Sequence, residues 1–170
     1  MKNGKKIYLL TLGALFIALI FVSTAFLAIP MPVVGGYIHP GDVFVCLAGA
    51  FLPLPLAAFC GAAGGALADL QAGFALYMPA TFLIKGVMAA VMCRFRGTKL
   101  IGWRQMLGVL LSACVCIGGY FLYDCILYGA GAAVVSAGFN AIQCAATLIL
   151  YLIFGFALDI GGLYRRLYRR

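Results

Sequence analysis

Charged residues are scarce in this 170-residue sequence, and acidic residues are the scarcest. Only 9% of the residues are charged, all four acidic residues are aspartates, and there is a single histidine. An enzyme of this size would need a nucleophile, a metal cluster or a carboxylate pair, and scattered aspartates with one histidine do not supply them. The glycine-rich P-loop of nucleotide-binding domains is also absent. The sequence therefore argues against an enzyme and predicts neither a cofactor nor a metal site.

Cysteine is not rare, but its arrangement carries no sign of chemistry. The seven cysteines include no pair with CxxC spacing and are spread over the apolar segments. A free cysteine in such surroundings behaves as a small hydrophobic side chain. We therefore expect structural thiols rather than a metal or redox centre.

Apolar residues, in contrast, are abundant. They make up 66% of the chain, and the mean hydropathy is +1.14. This composition is typical of a protein whose solvent is the lipid bilayer. The first apolar run, from Ile7 to Ile29, is longer than the apolar core of a signal peptide and is expected to be a transmembrane helix.

Eleven of the twelve basic residues lie in three clusters. The clusters are Lys2, Lys5 and Lys6; Arg94, Arg96, Lys99 and Arg104; and Arg165, Arg166, Arg169 and Arg170. Cytoplasmic loops of membrane proteins retain Lys and Arg, so all three clusters are predicted to face the cytoplasm. An even number of membrane crossings then separates each pair. The membrane accounts for these charges, and nucleic-acid binding is not indicated.

Two prolines decide the number of helices. The uncharged stretch from Val43 to Ala68 is long enough for one spanning helix, but one helix there would put the middle basic cluster outside. Pro53 and Pro55 each remove a backbone donor and disfavour helix at the preceding residue, so the stretch is predicted to split. The resulting fold is all-α: one membrane domain over residues 1–170, with both termini cytoplasmic. Its six helices are predicted at about 7–29, 42–52, 55–70, 77–93, 105–128 and 137–162.

The two short helices cannot cross a roughly 30 Å hydrocarbon core by themselves. Irregular backbone at membrane depth is tolerated where it packs within protein or lines a cavity. We therefore expect the loops after the first and third helices to dip inward and line a cavity.

Polar residues within the predicted helices fall on shared faces. Tyr77, Thr81 and Lys85 are spaced by four residues, and Met88 continues the same face. Tyr120 and Asp124 are also four apart, with Tyr128 four beyond. Asn140, Gln143 and Thr147 share a face of the last helix. Polar groups in a membrane are energetically expensive and tend to be functional.

Several of these residues also have structural interpretations. Lys85 could pair with Asp69, Asp124 or Asp42 to stabilise the bundle, which does not exclude lining a ligand site. Asp42 could instead cap the helix that it precedes.

Other polar residues have equally ordinary alternatives. His39 could be a loop histidine, and Asn140 and Gln143 could hydrogen-bond between helices. Asp159, near the cytoplasmic end, is interpreted as interfacial.

Together the polar set suits a small polar aromatic solute, because it offers rings for stacking and a few polar groups for orientation. An ion channel would more usually carry a repeated filter element, and none repeats here. The predicted substrate-binding residues are His39, Asp69, Tyr77, Lys85, Asp124, Asn140 and Gln143.

Three segments carry a family resemblance. They are residues 36–42 (GYIHPGD), 66–74 (ALADLQAGF) and 79–86 (PATFLIKG). With the chain length, the six helices and the last-helix Asn140 and Gln143, they resemble the substrate-binding S component of energy-coupling factor (ECF) vitamin transporters. Within that family, the sequence most resembles the branch for uptake of riboflavin, hydroxymethylpyrimidine or pyridoxine. Pro40 departs from the bulkier apolar residue common in the family.

The resemblance implies a multi-pass protein of a bacterial plasma membrane that captures a small vitamin from outside. A transmembrane coupling protein and two cytoplasmic ATPases would drive uptake. In the first helix, Gly13, Ala14 and Ala18 stand where the family carries the small residues that dock on the coupling protein, and small residues permit close helix approach. A self-sufficient oligomeric transporter or channel is the alternative, and it would work without ATPase subunits.

Overall fold

The computed structural model describes residues 2–30 and 37–168, and this part of the chain is a helical bundle. Its helices are α1 (Lys2–Ala25), α2 (Asp42–Phe51), α3 (Leu54–Gln71), α4 (Met78–Arg94), α5 (Trp103–Tyr128), α6 (Ala130–Ile160) and the short α7 (Leu163–Tyr168). Large apolar side chains such as Ile126 and Leu83 are exposed on the outside of the bundle. An apolar exterior is what a lipid environment requires, so the chain is an all-helical membrane bundle.

Three of the described helices are long and apolar enough to cross a membrane unaided: residues 3–25 of α1, then α5 and α6. The ten residues of α2 extend only about 15 Å at 1.5 Å per residue. Eight of those ten residues are buried, so α2 lies inside the bundle and not against lipid.

The boundary between α2 and α3 lies at the predicted proline break. Leu52 and Pro53 have extended backbone, with ψ of 152° and 151°, and Pro55 is in the first turn of α3. Proline is accommodated there because the first turn has no intrahelical acceptor for its missing N–H.

Other boundaries differ from the expected ones. α1 ends at Ala25, and a pair of two-residue antiparallel strands follows it, β1 (Ile29–Pro30) and β2 (Tyr37–Ile38). α6 begins at Ala130 rather than near residue 137. The reason is Gly129, which at φ 85° turns the chain between α5 and α6 by itself, a conformation that glycine adopts without steric cost. Gly36, the first residue of the resemblance motif, lies outside the described residues.

Helix contacts fix the direction of α1. Gly13 lies against Leu56 near the start of α3, whereas Thr24 lies against His39, just before α2. α1 therefore runs from the α2–α3 break towards the start of α2.

The basic segments lie at the end of the bundle where α1 begins. The Tyr164 hydroxyl of α7 donates to the Gly97 carbonyl at 2.8 Å, which joins the C-terminal segment to the loop between α4 and α5. Asp159 accepts hydrogen bonds from the backbone N–H groups of Leu100 and Ile101, both at 3.1 Å, so it holds this loop in place and is not merely interfacial. We call this the basic end.

Glycines let α2 and α3 approach α4 closely. A Cβ atom on Gly49 would lie 2.5 Å from the Ala89 carbonyl oxygen, and one on Gly61 would lie 2.6 Å from that of Lys85. Any larger residue at either position would push the helices apart. This close approach brings the start of α2 within reach of side chains on α4.

Arg96 binds backbone carbonyls at the C-terminal end of α2. Its Nη2 atom donates to the Gly49 carbonyl at 2.8 Å and to the Leu52 carbonyl, and it contacts the Cys93 sulfur at 3.3 Å. The last carbonyls of a helix have no intrahelical donor, and a break inside a bundle offers them little water. Arg96 therefore has a structural role in addition to its charge.

We predict that Arg96→Met destabilises the protein by roughly 1.5–3 kcal/mol, because two partly buried carbonyls lose a charged donor. The matched control is Arg94→Met, which removes the same charge from an exposed side chain two residues away. Thermal unfolding in detergent measures both. Equal shifts in Tm would show that charge, and not capping, is what matters at residue 96.

Candidate ligand-binding site

A polar cavity of about 30 Å³ lies at the end of the bundle opposite the basic end. The chain segments around it are the residues before α2, the end of α3, the start of α4, the end of α5 and the first half of α6. It is lined by Tyr37, His39, Asp69, Phe74, Tyr77, Thr81, Tyr120, Asp124, Ser136, Asn140 and Gln143.

Six of the seven residues predicted to bind substrate line this cavity, and Lys85 does not. Five lining residues were not among the predicted substrate-binding residues: Tyr37, Phe74, Thr81, Tyr120 and Ser136. Thr81 and Tyr120 lie on the polar helix faces identified in the sequence. Ser136 could have been found, because it precedes Asn140 by four residues on the same helical face. Tyr37 and Phe74 lie outside helices, where periodicity gives no signal. Tyr128, predicted to share a face with Asp124, is 45% exposed and is not among the residues that line the cavity.

Two carboxylates of the cavity each accept a hydrogen bond from a tyrosine. The Tyr37 hydroxyl donates to Asp69 Oδ1 at 2.6 Å, and the Tyr77 hydroxyl donates to Asp124 Oδ1 at 2.7 Å. Asp69 Oδ2 is buried and makes no hydrogen bond of ordinary geometry within the described residues. No Lys or Arg is among the lining residues. The cavity is therefore rich in acceptors.

Aromatic rings form a continuous wall. The ring centroids of Tyr37 and Phe74 are 5.1 Å apart, those of Phe74 and Tyr77 are 6.5 Å apart, and those of Tyr77 and Tyr120 are 6.4 Å apart. The Tyr120 hydroxyl is held at 2.9 Å from the Thr81 hydroxyl. Such rings can stack on a planar ligand while their hydroxyl groups orient it.

His39 is tied to the bundle through its ring and its backbone. The Gly41 N–H donates to Nδ1 at 3.1 Å, and the His39 N–H donates to Gln143 Oε1 at 3.0 Å. Loss of hydration is the main cause that lowers the pKa of the imidazole to about 4. The Asp42 charge raises this pKa and the Lys85 charge lowers it, and both effects are smaller. The ring is therefore neutral at pH 7. With Nδ1 accepting, Nε2 carries the proton and is a donor.

The partner of Lys85 is Asp42. Lys85 Nζ lies 2.5 Å from Asp42 Oδ1, and both side chains are 1% exposed. Nζ also lies 5.3 Å from the centroid of the Tyr120 ring, which lines the cavity. Lys85 thus lies behind the cavity wall, and its charge is compensated within the protein.

Asp42 does not have the capping role considered above. No side-chain cap is present at the start of α2, and the Asp42 carboxylate points inward to Lys85 and Gln143. Gln143 Nε2 donates to Asp42 Oδ2 at 2.8 Å, so both ends of this amide are engaged within the protein. The Asn140 amide donates to the Ser136 hydroxyl at 3.3 Å, within its own helix.

The predicted docking residues do not all lie on one surface. Ala14 and Ala18 are exposed and line an apolar groove of about 510 Å³ between α1 and α3, together with Phe21 and Leu67. Gly13 is buried against α3, and the Cys60 thiol donates to its carbonyl at 3.4 Å. Because it faces inward, Gly13 serves packing within the bundle and is not part of the groove.

The sequence is similar to proteins of a known transporter family. Residues 4–159 match the family described as ECF-type riboflavin transporter, S component. A protein of Lactococcus lactis subsp. cremoris (strain MG1363), named thiamine precursor transporter HmpT, is 32% identical over 149 residues, covering 87% of this chain and 86% of the relative. An uncharacterised protein of Pyrococcus woesei is 32% identical over 130 residues, covering 76% of this chain and 86% of the relative.

The family match covers nearly all of the helical bundle, including every residue that lines the cavity. An S component is a transport subunit, which agrees with the lack of catalytic groups in the sequence. The chain belongs to the family of S components of ECF-type riboflavin transporters, and it is not an enzyme.

Proposed function

We propose that this chain is the vitamin-binding S component of an ECF-type importer and that it captures a one-ring aromatic vitamin precursor of the aminopyrimidine type. Hydroxymethylpyrimidine, a thiamine precursor, is the substrate that we favour over pyridoxine and riboflavin. The observation that carries this proposal is the lining of the cavity, where two carboxylates and an aromatic wall occur without a lining cation.

The charge of the lining favours a ligand with hydrogen-bond donors or a positive charge. Asp69 and Asp124 accept from tyrosine hydroxyls, which orient them without neutralising them. The nearby ammonium group of Lys85 is already paired with Asp42. An exocyclic amino group or a protonated ring nitrogen would satisfy such carboxylates, and an anionic ligand would be repelled.

Size favours a single ring. A cavity of about 30 Å³ has room for little more than a water molecule, so any vitamin has to displace lining side chains. A pyrimidine requires a smaller displacement than the three fused rings of a flavin. The name of the Lactococcus relative, thiamine precursor transporter, supports the same class of substrate.

We predict that the purified protein binds hydroxymethylpyrimidine more tightly than riboflavin. Asp124→Asn should weaken this binding at least tenfold, about 1.4 kcal/mol, because a charged acceptor is lost while Tyr77 keeps a partner. Asp159→Asn, at the basic end, is the control and should bind as the unmodified protein does. Isothermal titration calorimetry measures the affinity of the unmodified protein and of the two variants. Tighter binding of riboflavin, or unchanged affinity in Asp124→Asn, would overturn the substrate assignment.

We also propose six membrane crossings with both termini in the cytoplasm of a bacterial cell. The positions of Arg96 and α7 at one end of the bundle support this topology, because basic segments are retained on the cytoplasmic side. The cavity then opens outward, where the vitamin is available.

Cysteine-accessibility labelling checks the topology. Thr98 is exposed in the loop between α4 and α5, and a Thr98→Cys variant on a cysteine-free background should react with a membrane-impermeant reagent only after the cells are opened. Ala75→Cys, at an exposed position between α3 and α4, should react in intact cells. Labelling of residue 98 from outside would refute the six-crossing arrangement.

The groove of Ala14 and Ala18 is the proposed contact with the transmembrane coupling protein, which in turn would act with two ATPases. Its small exposed side chains allow another helix to approach closely. The groove shares no lining residue with the cavity. Docking and vitamin binding should therefore be separable by mutation.

We predict that Ala14→Leu with Ala18→Leu abolishes vitamin uptake and leaves binding within a few-fold, because the added bulk blocks helix approach. Ala141→Leu with Ala145→Leu is the matched control, since these exposed alanines have the same spacing on α6. Uptake of radiolabelled vitamin by cells and calorimetric binding by purified protein are measured for both double variants. Equal loss of uptake and binding would contradict the docking role, and uptake without ATPase subunits would favour a self-sufficient transporter.

A further inference from the structure

We propose that Asp42, which does not line the cavity, is a positioning residue that fixes the Gln143 amide and, through it, the backbone of His39 in the cavity wall. This inference rests on the proposed function for its consequence in binding. Its geometric part, that Asp42 holds the wall through Gln143, can be tested without a ligand.

The hydrogen bonds have only one consistent direction. Asp42 Oδ1 accepts from Lys85 at 2.5 Å, and Oδ2 accepts from Gln143 Nε2 at 2.8 Å. A carboxylate only accepts, so it requires the NH₂ side of the amide. Gln143 Oε1 must then face the other way, where it accepts from the His39 N–H at 3.0 Å. A flipped amide would place oxygen against carboxylate and N–H against N–H.

The wall that this amide holds separates two cavities. On the other side of His39 and Gln143 is a second groove of about 210 Å³, which is lined by Leu27, Ile29 and Ile142 among others. Those three side chains are more than half exposed, so the groove faces the outside of the bundle. His39 and Gln143 line both spaces. If the Gln143 amide lost its hydrogen bonds, the wall formed by Gln143 and His39 would loosen, and the cavity would open into the second groove.

Lys85 is what allows Asp42 to act in this way. An unpaired carboxylate at 1% exposure would be strongly destabilising, and the ammonium group compensates its charge. A well-packed apolar pair of similar volume could provide stability alone without the desolvation penalty. An apolar pair could not orient the amide. The test therefore removes both charges and varies only the acceptor.

Two double variants make this comparison. Lys85→Met with Asp42→Asn keeps an amide oxygen that can accept from Gln143 Nε2, whereas Lys85→Met with Asp42→Leu removes the acceptor. The first readout is hydrogen–deuterium exchange of the segment containing the His39 N–H, in detergent without ligand. We expect exchange close to the unmodified protein in the Asn variant and at least tenfold faster exchange in the Leu variant. Equal exchange in the two variants overturns the proposal.

The second readout is the rate at which bound hydroxymethylpyrimidine dissociates. We expect the Leu variant to release it at least tenfold faster than the Asn variant. Adding Gln143→Leu to the Leu variant should speed the ligand-free exchange of the His39 segment little further, because residues that act as a unit are not additive. A further tenfold increase in exchange would mean that the two side chains act independently, and would overturn the proposal. If the unmodified protein binds no such ligand, the proposed function fails, and the exchange result still decides the role of Asp42.

Discussion

The ion pair between Lys85 and Asp42 is the interaction on which the rest of this structure depends. It joins α2 to α4 inside the bundle, where the other buried charged side chains among the described residues are Asp69 and Asp124, and both of its own side chains are 1% exposed. Gly49 lets α2 approach α4 closely, which favours the contact between Asp42 and Lys85. Within the pair, the Asp42 carboxylate orients the Gln143 amide and through it the backbone of His39, and the Lys85 charge is compensated behind the cavity wall.

The same physical constraint explains the polar groups at both ends of α2. A ten-residue helix inside a membrane protein leaves backbone groups far from water, and each must find a partner. At its end, Arg96 donates to the last carbonyls. At its start, the Gly41 N–H donates to the His39 ring. The histidine of the cavity wall is thus also part of the local structure that begins α2.

Sequence reasoning recovered the features that depend on strong local rules. Proline chemistry located the break near Pro53, and helical periodicity grouped Asn140 with Gln143 on one face. It could not choose the partner of Lys85 among three aspartates, because that choice depends on helix packing in three dimensions. It also assigned Gly13 to the outside, since spacing along one helix does not reveal which side the neighbouring helix covers. Tyr37 and Phe74 were missed because loop geometry has no periodic signature.

The two cationic contacts of α2 have a mechanical consequence. Lys85 belongs to α4, and Arg96 follows the end of α4 by two residues, so α4 and its extension hold the short helix at both of its ends. Because α2 is held at both ends, we expect α2 and α4 to move together as one rigid body. Gln143 joins this body to α6 through one hydrogen bond to the Asp42 carboxylate. Enlargement of the cavity for a ligand is consequently expected along the seam between α2 and α6, with α2 remaining fixed on α4.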